Sequence, residues 1–416
     1  HAKMARIIVR DFARFWRSRG YLGEARRWLA TSAEQLRREG DQVELSRCLS
    51  ALANVCGDQG DLDAARAACE EAIPLARAYD PGVNLVNLLS GLGTVLRKLG
   101  DPAGALELLT EAVDRARDLG DITYLCPALV NLANFSAKPD PDRARPLYQE
   151  ALALARAQGD RRYEAAILAN MAGLDSAAGD HAAAIAALSD AARTAQELRD
   201  EALESKIQGL LGVEHREIGN PEASVPVMQR CIELAERVGD QVSLSEATGD
   251  LGLTILALGD PRQAVVHLEQ SLALARKIGH SRLEIGCLGG LSEANGQLGH
   301  LHRARACAVE ALQLARDSQN EIYVVDMLEE LADALLQQGD ASGAIRAAAC
   351  AEARRARGGV SLPPNRLARV EGIQVRARAA VGADAFDQMW TESLDHDALD
   401  ALIDEFADQD PQELAG

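Results

Sequence analysis

Glycine recurs along this chain at a nearly fixed interval of 20 residues, and this spacing limits the folds that the chain can adopt. The series consists of Gly20, Gly40, Gly60, Gly100, Gly120, Gly159, Gly179, Gly219, Gly239, Gly259, Gly279, Gly299 and Gly339. Other turn-forming residues fill the gaps at Asp80, Asp140, Arg199-Asp200 and Gln319-Asn320. Glycine adopts the left-handed conformation that ends a helix, and the Asp that usually follows caps the next helix. The spacing therefore predicts helices of about 17 residues joined by minimal turns.

Alternate helices differ, so the repeating unit has 40 residues. The first helix of each pair has a small residue seven positions before its turn: Ala13, Ala53, Gly93, Ala133, Ala172, Gly212, Gly252, Ser292 and Ala332. The second helix has one near its start: Ala25, Ala65, Ala105, Ala144, Ala184, Ser224, Ala264, Ala304 and Ala344. Small side chains let the paired helices approach closely, whereas a Leu would overpack the contact by about 1–3 kcal/mol.

The pattern resembles the tetratricopeptide repeat, because Leu251-Gly252, Ile255, Gly259-Asp260, Ala264 and Leu268 match its signature in order. The resemblance covers residues 5 to about 357, and each unit has 40 residues rather than the usual 34. It implies an all-α, right-handed α-solenoid of about nine antiparallel helix pairs with a C-terminal capping segment. A generic helical bundle is the alternative fold.

The two ends depart from the repeat. Residues 1–40 are rich in aromatic and basic side chains and are predicted to form a capping helix pair, or else a docking face for an upstream domain. Residues 41–357 form the predicted solenoid, and residues 358–416 a degenerate repeat, a capping helix and an acidic tail. In the last part we expect a helix that starts at Leu362-Pro363-Pro364 and runs to about Val381, and a short helix from Ala383 to about Trp390. Leu399, Leu402, Ile403 and Phe406 form a narrow apolar stripe.

The segments from Phe15 to Leu29 and after Gly358 resemble the borders of the repeat region in large bacterial regulators. In that class the repeats follow a nucleotide-binding switch module of the STAND type. The chain begins with His1 rather than Met, so we expect an excised fragment or tag residues before Met4.

Composition and motifs exclude several functions. The net charge of −19 disfavours nucleic acid as a partner, and no apolar run approaches the roughly 20 residues of a membrane span. The eight cysteines lack C-x-x-C spacing, which favours a reduced, cytoplasmic protein. No nucleotide-binding or hydrolase motif is present, and His300-x-His302 is the sole close histidine pair. We therefore expect no catalytic residues, no metal and no cofactor.

The concave face can be located by spacing, because first helices line the groove of tetratricopeptide solenoids. The inward positions are two and three residues before, and one and four residues after, the small residue of each first helix. In units two to five this rule selects Ser50, Asn54, Ser90, Thr94, Arg97, Asn131, Asn134 and Asn170, and Asn87, one turn earlier on its helix, faces the same way. Asn is a poor choice within a helix, so its repetition on one face needs a reason. A side-chain amide both donates and accepts, and a ladder of amides can hold the backbone of an extended peptide. Alternatively, some of these amides bond neighbouring helices and are structural.

The same spacing gives charged positions elsewhere. At the front it selects Arg14 and Arg17, and in the later units it selects Asp250, Glu293, Glu329 and Asp333. A groove that changes from basic through amide-rich to acidic would align a partner of opposite polarity. Alternatively, these charges only keep an empty groove hydrated.

Two functions fit these features. The first is a non-catalytic protein- or peptide-binding module, the sensor or regulatory region of a larger signal-transduction NTPase or transcriptional regulator with that switch domain in the same chain. The second is a constitutive scaffold or stand-alone peptide receptor. An enzyme with an unrecognised site is a third alternative, and neither nucleic acid nor membrane is expected as a partner.

Overall fold

The computed structural model describes residues 12, 15, 16, 21–318, 321–358, 364–394 and 399–407. These residues form 20 α-helices and contain no strand, which confirms the predicted all-α class. Arg14 and Arg17, Leu362-Pro363 and the acidic tail from residue 408 lie outside the described residues.

The helices alternate between first and second members of antiparallel pairs. The first helices are α2 (Gln42–Asp58), α4 (Val83–Lys98), α6 (Ile122–Ser136), α8 (Arg161–Ala177), α10 (Glu201–Glu217), α12 (Gln241–Ala257), α14 (Ser281–Gln297), α16 (Glu321–Gln338) and α18 (Pro364–Val381). The second helices are α1 (Leu22–Glu39), α3 (Leu62–Tyr79), α5 (Pro102–Leu119), α7 (Pro141–Gln158), α9 (His181–Leu198), α11 (Pro221–Val238), α13 (Pro261–Ile278), α15 (Leu301–Asp317), α17 (Ala341–Gly358) and α19 (Ala383–Leu394). A last helix, α20, spans Leu399–Ala407.

The turns have the predicted chemistry. The described glycines of the series have positive φ, from +66° at Gly120 to +88° at Gly339. The Asp61 carboxylate accepts a hydrogen bond from the Ala64 N–H at 3.0 Å, and Asp260 caps its helix in the same way. At one turn without glycine, Arg199 takes the left-handed conformation with φ +55°, whereas Asp80 at another has φ −147°. Repeat-helix lengths run from 15 residues in α6 to 18 in α5, close to the expected 17.

Close contact between paired helices explains the small residues. A Cβ added to Gly93 in α4 would lie 2.7 Å from Cγ of Leu109 in α5 and 3.2 Å from the Ala105 carbonyl oxygen. In a later pair the Ser224 hydroxyl donates to the Gly212 carbonyl at 2.7 Å. At Gly93, and likewise at Gly212 and Gly252, a side chain would therefore collide with the paired helix, as predicted, whereas Ala13 lies outside the described residues.

The chain divides into two compact units, residues 1–194 and 195–416. In the first unit, α2 contacts α4 and α4 contacts α6, so these first helices lie side by side in one layer. The second unit has the same arrangement from α10 to α18. In both units the buried apolar core lies between the layer of first helices and the second helices.

Consecutive second helices are also linked by ion pairs one repeat apart. Arg77 in α3 bonds Glu111 in α5 at 2.7 Å, and Arg117 in α5 bonds Glu150 in α7 at 2.8 Å. Arg37 and Glu71 in the preceding pair and Arg276 and Glu310 in the second unit repeat the arrangement. Since these arginines are exposed, each pair contributes little to stability, and the apolar core dominates.

After the repeats, α18 begins at Pro364 and ends at Val381 as predicted, while α19 continues four residues beyond the expected end at Trp390, to Leu394. The final helix α20 packs on α15 and α17, which are second helices of the last two repeats. Its apolar stripe is buried there, and Glu405 forms an ion pair with Arg346 of α17 at 2.7 Å.

Candidate functional site

A cleft of about 470 Å³ lies on the layer formed by α2, α4 and α6 in the first unit. This volume is within the range of roughly 300–1,000 Å³ that is usual for binding pockets. Along α4 the lining extends from Val86 to Lys98, which is about 18 Å of helix. An extended chain rises about 3.3 Å per residue, so the cleft matches roughly five residues of such a chain.

Six of the predicted groove residues line this cleft together: Ser50 and Asn54 of α2, Asn87, Ser90 and Thr94 of α4, and Asn131 of α6. Asn54 and Asn87 are exposed, and Asn131 is half-buried. The Thr94 hydroxyl donates to the Ser90 carbonyl at 2.9 Å, so its oxygen can still accept a hydrogen bond. One amide from each of three neighbouring helices is thus available on one surface.

Three other candidates of this unit are not part of the cleft lining, namely Arg97, Asn134 and Asn170. The Asn134 amide oxygen accepts a hydrogen bond of 2.5 Å from the Tyr148 hydroxyl of α7, the partner helix of α6. Burial raises the pKa of Tyr148 to about 12, so its hydroxyl remains protonated and donates. Asn134 therefore bonds a neighbouring helix, which is the structural role that the sequence left open as the alternative to ligand binding.

The cleft also contains residues that the spacing did not single out, among them Gly57, Asp58, Gly91, Tyr124 and Pro127. Gly57 and Gly91 occupy inward positions by the same rule that selects Asn54 and Asn131, but a glycine offers no side chain to attract attention. Pro127 is six residues before the small residue of its helix, as Asn87 is in α4. The same spacing could therefore have placed Pro127 on the inward face. Asp58 and Lys98 place one negative and one positive charge at the C-terminal ends of α2 and α4.

The cleft contains little that resembles catalytic chemistry. Its one thiol is Cys69, and burial raises the pKa of that thiol to about 12, which keeps it protonated and weakly nucleophilic at neutral pH. In the described part of the chain, no group of three or more His, Cys, Asp or Glu side chains is arranged to hold a metal ion.

The predicted acidic residues of the second unit are engaged by other side chains. Asp250 pairs with Arg216 at 2.9 Å, although burial raises the pKa of the Asp250 carboxyl above its ordinary value. Glu329 is buried and pairs with Arg355 at 3.0 Å.

The remaining two acids are bonded as well. The Asp333 carboxylate bonds Arg376 of α18, and the half-buried Glu293 accepts a hydrogen bond of 3.5 Å from Gln297. Arginines of neighbouring helices thus compensate three of the four acids, which the sequence prediction of an acidic groove surface did not include.

Two family models match parts of this chain. A family model described as tetratricopeptide repeat matches residues 49–118 and 203–277. The repeats within these two stretches are tetratricopeptide repeats. A second family model, described as anaphase-promoting complex subunit 5, matches residues 142–208 and 281–335. No curated protein matches this sequence.

Solved structures with a similar tetratricopeptide fold share little sequence identity with this chain. A Rap protein complexed with competence and sporulation factor has a TM-score of 0.60 at 12% identity, covering 94% of this chain and all of that one. The quorum sensor NprR from B. thuringiensis, in its apo form, has a TM-score of 0.54 at 13% identity, with 82% and 96% covered. The STAND protein with a tetratricopeptide repeat sensor from Pyrococcus horikoshii has a TM-score of 0.55 at 13% identity, covering 82% of this chain and 54% of that one.

No helix that the structure describes combines the length and the apolar character needed to cross a membrane.

Proposed function

We propose that this chain is a non-catalytic module that binds an extended peptide segment in the cleft between α2, α4 and α6. The observation that supports this most is the convergence of Asn54, Asn87 and Asn131, from three consecutive first helices, on one cleft about five residues long. A peptide backbone presents alternating donors and acceptors, and each amide side chain can satisfy one of both. A ligand held in this way is recognised mainly by its extended backbone.

Comparison of folds is consistent with this proposal. The Rap structure contains competence and sporulation factor, and the Pyrococcus protein has its tetratricopeptide repeats described as a sensor. On this basis we propose that the chain acts as the sensor region of a larger NTPase or transcriptional regulator in the cytoplasm. Peptide binding would shift such a switch only as far as the peptide's affinity differs between its two states.

A constitutive scaffold or stand-alone peptide receptor remains the second candidate, since the cleft is compatible with either. The complete open reading frame distinguishes them, because the sensor proposal requires a further switch domain, such as a P-loop module, in the same chain. An open reading frame without such a domain would contradict the sensor proposal and leave peptide binding intact.

Binding itself is tested with a random library of N-acetylated, C-amidated pentapeptides. Peptides retained by the protein are identified by mass spectrometry and their affinities measured by calorimetry. Asn54→Ala, Asn87→Ala and Asn131→Ala combined should weaken the retained peptides on the order of 100-fold, since each net hydrogen bond contributes about 1 kcal/mol.

Asn170→Ala is the matched control, because it removes the same side chain from α8, a first helix outside the cleft. It should leave affinity unchanged. Equal affinity of the wild type and the triple variant, or no retained peptide at all, would contradict the proposed binding site.

A further inference from the structure

Two glycines of α4 lie two residues apart but have different surroundings. At Gly93 an added Cβ would lie 2.7 Å from Leu109 Cγ, so the contact between paired helices requires glycine. At Gly91 an added Cβ would meet no heavy atom within 4 Å. Packing within the protein therefore accounts for Gly93 and not for Gly91.

Backbone conformation does not account for Gly91 either. It lies inside a regular helix and is not one of the described glycines with positive φ. Glycine within a helix destabilises it by roughly 0.5–1 kcal/mol relative to alanine. Gly173 and Gly372 are helical glycines with equally open surroundings, so this cost alone does not mark a site, and what sets Gly91 apart is the location of the space above it.

That space is part of the cleft. Gly91 lines it, and so does Gly57 at the end of α2, where an added Cβ would also meet nothing within 4 Å. The apolar residues that line the same cleft include Val86, Val95, Pro127 and Ala128. Val86, Val95 and Ala128 are buried and therefore fixed, and Pro127 is half-buried.

Polar groups lie next to this apolar surface. Asn87 is one helical turn before Gly91 on the same face of α4, and Asn131 is on α6 across the cleft. Tyr124, which also lines the cleft, is half-buried and offers an aromatic ring that can contact an apolar group and a hydroxyl that can bond a backbone. The cleft thus combines groups that can bond a peptide backbone with the open space at Gly91 and with accessible apolar surface from Pro127 and Tyr124.

We propose that Gly91 keeps open a specificity subsite that takes one large apolar side chain of the bound peptide, aromatic or aliphatic, between α4 and α6. This inference rests on the proposed peptide-binding function and adds a sequence preference to it. The amides would hold the backbone of any extended peptide, while the space over Gly91 selects peptides with Phe, Tyr, Trp, Leu or Met at one position. A side chain at residue 91 would fill the subsite.

The pentapeptide library tests this inference with the variant Gly91→Leu. Wild-type protein should retain peptides enriched in large apolar residues at one position. Gly91→Leu should bind those peptides roughly 10- to 100-fold more weakly, which is the effect of leaving one such side chain in water. It should still retain peptides with Gly, Ala or Ser at that position.

Gly173→Leu is the matched control. Gly173 is an exposed glycine inside α8, an added Cβ there meets nothing within 4 Å, and it does not line the cleft. Both substitutions replace a helical glycine by a better helix former, so thermal unfolding should show both variants at least as stable as wild type. Peptide selection by Gly173→Leu should equal that of wild type.

The outcomes separate this inference from the proposed function. Retained peptides without enrichment of large apolar residues, or equal selection by wild type and Gly91→Leu, would overturn the subsite while the triple Asn variant still tests backbone binding. Failure of the wild type to retain any peptide would overturn both.

Discussion

Substituting alanine for Gly93 or for Gly91 in α4 should change the free energy of unfolding in opposite directions. Gly93→Ala places a Cβ 2.7 Å from Leu109 Cγ and 3.2 Å from the Ala105 carbonyl oxygen, both closer than usual for a Cβ. Leu109 is only 1% exposed, so it cannot move away without disturbing its own contacts. Overpacking of this kind costs about 1–3 kcal/mol. The alanine recovers roughly 0.5–1 kcal/mol of helix stability, which leaves a net loss of about 0–2.5 kcal/mol.

Gly91→Ala gains the same helix term without any steric contact, so it should stabilise the protein by about 0.5–1 kcal/mol. The two variants should therefore differ by about 1–3 kcal/mol, the overpacking term alone. Urea unfolding gives the midpoints, and hydrogen exchange of α4 and α5 follows the local effect, because repeat proteins can unfold in parts. If Gly93→Ala proves as stable as Gly91→Ala, the argument from helix-pair contact is refuted.

Three further predictions concern single contacts. Arg199→Gly should stabilise the protein by roughly 0.5–1 kcal/mol in thermal unfolding, because it relieves a left-handed residue at φ +55°; a lower melting temperature would contradict this. Tyr148→Phe removes the hydrogen bond to Asn134 and should cost about 1 kcal/mol in urea unfolding without altering peptide binding, and a change in binding would instead assign Asn134 to the site. The hydrogen bond from Arg346 lowers the pKa of Glu405, so this pair stabilises the docked α20 above the ordinary carboxyl pKa of about 4.3 and loses its effect as pH falls through the lower folded value. Hydrogen exchange of α20, corrected for its intrinsic rate, should rise over that range in wild type but not in Glu405→Gln.

The sequence predicts the helices well because each boundary depends on neighbouring residues. Gly120 ends a helix and Asp61 begins one through contacts within a few positions, which a reader of the sequence can count. Pairing of first and second helices is equally predictable. Small residues recur at the repeat positions of Gly93 and Ala105, and close contact between the two helices is what requires a small residue at each position.

The candidate site is less predictable because it depends on contacts between helices. Spacing placed Asn54, Asn87 and Asn131 on one face, but it did not show that Asn134 bonds Tyr148, which comes from the neighbouring helix. The acids illustrate the same limit, since Asp250 is paired by an arginine 34 residues earlier in the chain. Sequence patterns identify which residues face inward, and the identity of the opposing side chain decides which of them remain available.

The ion pairs between second helices have a consequence for how such a chain can change in length. Arg77–Glu111 joins residues 34 positions apart, and Arg276–Glu310 joins residues at the same separation in the other unit. Within each unit, the repeats joined in this way meet their successors through the same kind of ion pair and the same kind of turn. Duplication or loss of one 40-residue block would leave all of these in register, so the recognition surface can be lengthened or shortened by gene rearrangement without redesign of any single junction.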